Sequence, residues 1–151
     1  MIPGEQFERV AHLNWARRLG PPTLQWSEAE PGVTVSTCLE LDQALHKIAG
    51  RKPMLRAVIA TLHGHNSQVG IGLGLPISFV TIHSFNPDKS PSGMITMADS
   101  PPGQDAVFHL LDTHRTEIPR RHLIPAAQAR QIVRDFFKTG CRPSNVQWEQ
   151  L

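Results

Sequence analysis

The chain has 151 residues and a mass of 16.8 kDa, which fits one domain and leaves little room for two. With 40% apolar and 19% charged residues the composition is that of a globular protein, and no apolar run is long enough for a membrane-spanning helix. Two cysteines, Cys38 and Cys141, exclude a disulfide framework and a four-thiolate zinc site. The net charge of +2 is unevenly spread: Thr113–Arg142 holds seven Lys/Arg against Glu117 and Asp135, a local balance of +5. That asymmetry points to an electrostatically selected partner.

Met1–Gly20 carries Glu5, Glu8, Arg9, Arg17 and Arg18 with no continuous apolar core, so a secretory signal is not expected and a cytoplasmic location is. Glu5–Leu19 reads as a weakly amphipathic helix closed by Gly20, Pro21 and Pro22. Thr23–Gly32 reads as a linker or a short irregular strand, and Val33–Ser36 as a strand. Thr37 and Glu40 match a capping box, in which each side chain satisfies an orphaned backbone N–H. Leu41, Ala44, Leu45, Ile48 and Ala49 continue as one apolar helix face, and Gly50 is expected to close it in the left-handed conformation.

Sheet follows. Met54–Leu62 is apolar on both faces and reads as a central strand, and His63–Ser67 as a turn. Gln68–Leu75 alternates Val69, Ile71, Leu73 and Leu75 with Gly70, Gly72 and Gly74, a glycine face that admits unusually close packing. Ile77–Phe85, Gly93–Ala98 and Ala106–Leu111 are three more strands, separated by loops at Asn86–Ser92 and Asp99–Asp105. Near the C-terminus Pro125 is placed to open a helix, and Ala129, Ile132, Val133, Phe136 and Phe137 repeat at helical spacing. Gly140 and Pro143 end it. Val146 and Trp148 belong to an extended tail that pins the chain end. The expected fold is α+β: a twisted antiparallel sheet of about five or six strands with packed helices.

Templates for chemistry find little support. Gly70, Gly72 and Gly74 lack the spacing and the following helix of a dinucleotide fingerprint. His63 and His65, together with His83 or His109, could form a three-histidine metal site if the strands aligned, but no acid lies in the same turn to orient the rings. Neither H-x-E nor P-C-x-x-C occurs, so the chain is not itself a zinc nucleobase deaminase, and no nucleophile elbow is present. Cys38 opens a helix whose dipole could lower its pKa, yet a structural thiol is the better reading. Arg130, Arg134 and Lys138 recur every four residues as a basic row. Arg115, Arg120 and Arg121 precede it, and such a surface could bind phosphates. No aromatic residues interleave with the row, and a solvated face opposite the apolar stripe explains it equally simply. No catalytic residue, metal or cofactor is expected.

The C-terminal segment carries Leu123-Ile-Pro-Ala-Ala-Gln-Ala129, Phe136-Phe-Lys-Thr-Gly140, Arg142-Pro143 and Val146-Gln-Trp148. Together these resemble the closing signature of the Imm1 family of bacterial immunity proteins, and the preceding order of elements is similar over Val33–Glu149. The resemblance divides the chain into an N-terminal helical extension, 1–32, and a single immunity domain, 33–151. It implies an antitoxin that binds a cognate secreted toxin, often a nucleic-acid deaminase, and blocks its active site without turnover. No family residue transfers by motif, so the contact surface is argued from charge. A deaminase needs a basic substrate channel, which acid and polar loops would meet. Asp88, Asp99 and Asp105 in the two long loops, with Asn66 in the hairpin turn, are the expected toxin-binding residues, although for any single one an ordinary solvated loop residue is the favoured reading. The rival readings are a nucleic-acid-binding protein using the basic row and a small metal enzyme at His63, His65 and His83.

Overall fold

A computed structural model describes residues 21–51, 56–64, 67–84 and 92–151. The expected helix over Glu5–Leu19 lies outside the described residues. The described elements, in chain order, begin with β1 (Thr23–Gln25), β2 (Val33–Thr34) and α1 (Cys38–Ala49). Then come β3 (Val58–His63), β4 (Ser67–Leu73), β5 (Ile77–Ser78), β6 (Val80–Ser84) and β7 (Ser92–Met97). The hairpin strands β8 (Ala106–Leu110) and β9 (His114–Ile118) lead through a 3-10 turn (Arg120–His122) into β10 (Ile124–Pro125), α2 (Ala126–Thr139) and β11 (Gln147–Gln150).

Among the described residues nine strands form one sheet, in the order β11-β7-β6-β4-β3-β1-β2, with β8 and β9 joined to β3. The α+β class is as expected, and the sheet is larger than five or six strands. Each pairing within it is antiparallel except one, since β8 runs parallel to β3 at Val58–His109 and Ile59–Leu110. Strand β3 therefore spends one edge on two neighbours, with β8 beside its first half and β1 beside its second. Of the two readings of Thr23–Gly32, linker or short irregular strand, its first residues take the strand, β1, because Leu24 has an apolar slot to fill and is only 1% exposed.

One sheet face carries Val58, Ala60, Leu62, Val69, Ile71, Val80 and Ile82, and both helices pack on it. Helix α1 contributes Leu41, Leu45 and Ile48; α2 contributes Ala129, Ile132, Val133, Phe136 and Phe137. The Thr37 hydroxyl accepts from Glu40 N–H at 3.1 Å, and the Glu40 carboxylate accepts from Ser36 N–H at 3.1 Å. The capping box thus closes one residue earlier than its usual form. Gly50 does not adopt the left-handed conformation: its φ is −98°, and its N–H and that of Arg51 close the last turn onto His46 and Ile48. Gly140, with φ 72°, is the left-handed cap that its position after α2 predicts.

The second face holds a smaller core of Ile59, Phe79, Ile95, Phe108, Ile118 and Leu123. The strand expected over Ile77–Phe85 divides at Phe79. The Ser78 hydroxyl donates to Gly72 O at 2.6 Å in place of a ladder bond, and β5 turns away to pair with β10. The strand expected to reach Leu111 stops at Leu110, because Leu111 and Asp112 both take positive φ (54° and 62°) in the turn that opens β9. Mirror-image turns of this kind match the twist of a hairpin.

Candidate functional site

The long β7–β8 connection is an exposed polar loop that the sequence marks, and three bonds hold it against the 3-10 turn. Ala98 N–H donates to Arg121 O at 2.7 Å, Arg120 N–H to the Asp105 carboxylate at 2.8 Å, and the Arg120 guanidinium to Gly103 O at 3.4 Å. Pro101 and Pro102 restrict the backbone between these points. The turn is in turn held to the sheet. Thr96, fully buried, donates to His122 O at 3.0 Å, and His122 Nδ1 lies 3.0 Å from Thr96 O. The Glu149 carboxylate faces both His122 Nε2 and Arg121 Nε at 3.2 Å, which brings β11 into the same network.

Two recesses flank the loop. An open groove of about 630 Å³ runs between Leu75–Ile77 and Pro102–Ala106. A pit of about 220 Å³ lies on the other side, walled by Leu123, Ile124 and Val146 and rimmed by Asp99, Gln128 and Gln147. A larger groove of about 670 Å³ lies elsewhere, beside α1 and β2, where the Arg51 guanidinium stacks 4.1 Å over the Trp26 ring.

Two of the four expected toxin-binding residues, Asp99 and Asp105, are among the described residues. Asp99 and Asp105 are both exposed and stand at the two ends of the β7–β8 loop. Asp105 is the less available, since it caps the 3-10 turn. Asn66 and Asp88 lie outside the described residues. The strand ends that lead to them, Gly64, Ser67, Ser84 and Ser92, sit at the opposite end of β7 from Asp99, about 20 Å away at the usual rise. The pit rim was not legible in the sequence, because Gln128 and Gln147 are exposed polar residues 19 positions apart that only the tertiary fold brings together. The Ser-Pro-Pro-Gly run at residues 100–103 was the one available signal of a stiff loop.

The rival sites fare less well. His63 and His83 each pair with Gln68 from opposite sides, so a whole strand separates them, about 10 Å across the sheet. The His83 ring lies over Gly93, 2.7 Å from where a Cβ would stand. His65 lies outside the described residues, and among the described residues no three metal-ligating side chains converge. In the basic row, Arg134 is tied to Asp42 of α1 by Nε and Nη2 at 3.1 and 3.0 Å, and also bonds Gln131. Arg121 is paired with Glu149 and Arg115 with Glu117. The local charge that phosphate binding needs is therefore divided among internal pairs. Burial pushes the Cys38 thiol up, against the smaller opposing effect of Lys138, so the helix start leaves it unactivated and the structural reading holds.

Partial desolvation also pushes the imidazole of His63, an otherwise exposed residue, below its ordinary 6.5. The unfolded chain then takes up this proton first as pH falls, so His63 contributes stability above pH 6.5 that is lost progressively below it. His63→Gln should flatten that part of the profile: between about pH 7.5 and 5.5 the melting temperature of the variant should fall less than that of the parent. Equal slopes would show that His63 titrates alike in both states.

The family model described as Immunity protein Imm1 matches residues 29–150, a span that encloses both helices, β2–β11 and the loop with its two recesses. No curated protein matches the chain.

Proposed function

Because the chain belongs to the Imm1 family of immunity proteins, we propose that it neutralises a cognate bacterial toxin, a nucleic-acid deaminase, by covering the toxin's active site in a stoichiometric complex inside the producing cell. The observation that carries this reading is the family match over residues 29–150. The β7–β8 loop supports it physically. A loop already fixed by two prolines and by bonds to Arg120 and Arg121 gives up little conformational freedom on binding, so more of its contact energy appears as affinity. Its carboxylates Asp99 and Asp105 suit a basic substrate channel, and Asp88 and Asn66 follow the same charge logic in the sequence. A tight complex of this kind buries about 1,600 Å² in total, more than the loop alone provides, so the neighbouring groove at Leu75–Ile77 belongs to the same contact.

The test is co-purification of this chain with the toxin domain encoded immediately upstream, with deaminase activity measured as the ratio of the two is raised. Activity should vanish near one-to-one. Absence of a complex in both low and high salt overturns the proposal, whereas DNA binding by the chain alone with a steep salt dependence would restore the basic row as the functional surface.

A further inference from the structure

We infer that the pit beside the β7–β8 loop is an anchor site for one arginine side chain of the partner protein. The inference rests on the immunity reading and specifies the chemistry of its contact. At about 220 Å³ the pit is smaller than the ~300–1,000 Å³ of pockets that hold small ligands or cofactors, so its size suits a single long side chain. Met97, Ala98, Pro125 and Val146 give it accessible apolar surface on which an aliphatic stem can lie, over a floor of buried Leu123 and Ile124.

The rim sets the sign of the occupant. Asp99 is the one charged residue lining the pit, it is exposed, and no cation is paired with it among the described residues. The start of α2 also lines the pit and carries a partial positive charge of roughly half a unit, which is outweighed by a full carboxylate charge. Gln128 and Gln147 add two amide oxygens, which can accept hydrogen bonds. A guanidinium offers five donors in a planar fork, enough for a bidentate pair with Asp99 and a bond to an amide; a lysine offers a point charge without that fork. Because the bonds from Ala98 N–H to Arg121 O and from Thr96 to His122 O hold the loop, Asp99 is presented without a reorganisation cost.

The experiment measures affinity between the full chain and the toxin domain encoded upstream, by calorimetry, for two variants. Asp99→Asn removes the charge and keeps the shape; Gln128→Trp, on an exposed helix position, roofs the pit and leaves the charge. Each is expected to weaken binding about 10- to 100-fold, the range for losing a charged hydrogen bond at a desolvated anchor. An arginine-to-lysine scan of the toxin should find one position whose loss is not additive with Asp99→Asn. If the parent chain binds tightly and both variants bind within about threefold of it, the anchor site is overturned while the immunity reading stands. If the parent chain does not bind, both fall together.

Discussion

Gly72→Val should lower stability by about 3 kcal/mol, and Gly72→Ala by about 2 kcal/mol, as overpacking of a closed core does. A Cβ on Gly72 would stand 2.5, 2.8 and 2.9 Å from Cε1, Cζ and Cδ1 of Phe108, contacts that real side chains do not make. The ring cannot withdraw. It is fully buried and meets Phe79 edge-on, with centroids 5.2 Å apart, while Ile59 lies beside Gly72 on the neighbouring strand. In a domain of this size the valine variant should melt roughly 6–12 °C below the parent. Phe108→Leu placed in the Gly72→Ala background should recover part of the loss, because the two changes share one space and are not additive. Gly103 is the control: no atom lies within 4 Å of its virtual Cβ, so Gly103→Ala should leave stability unchanged or raise it slightly. An alanine at position 72 as stable as the parent would mean that Phe108 does not pack there.

Thr96→Val is the second large effect, about 2–4 kcal/mol, although the two side chains have nearly the same shape. The Thr96 hydroxyl accepts from Val80 N–H at 3.2 Å and donates to His122 O at 3.0 Å, within a residue that has no exposed surface. Valine leaves a buried donor and a buried acceptor without this partner, and each costs about 1–3 kcal/mol. Thr96→Ser keeps the hydroxyl and removes a methyl, which should cost only about 1 kcal/mol. The order parent, serine, valine in denaturant unfolding is thus the diagnostic; serine worse than valine would mean that packing outweighs the hydroxyl. The valine variant should also speed amide exchange across residues 98–105, since the turn that holds the loop is tied to the sheet through this hydroxyl.

These two positions mark where local reading succeeds and where it stops. The Gly70–Gly72 face was legible as a place of close approach, but not its neighbours: the structure puts the Phe108 ring at Gly72 and the Thr81 side chain at Gly70. Thr96 reads as one more strand residue, and nothing local marks a hydroxyl that joins β6 to the 3-10 turn. Strand β9 went unread because its residues are mostly polar and only Thr116 and Ile118 give it an inward side, whereas β8 beside it carries a buried Phe108. The loop acids were equally visible as residues, but nothing local marked that Asp105 caps the 3-10 turn.

The sequence by itself determined helices α1 and α2 with their apolar faces, the left-handed cap at Gly140, the alternating strands, and the C-terminal signature that carries family membership, because each is written in contacts between residues a few positions apart. Only the tertiary structure decided the strand order, the parallel β3–β8 pair, the pairing of Arg134 with Asp42, and the pit that Asp99 shares with Gln128 and Gln147. These depend on groups up to 92 residues apart meeting in space. Periodicity says which face of an element is buried and is silent about what buries it.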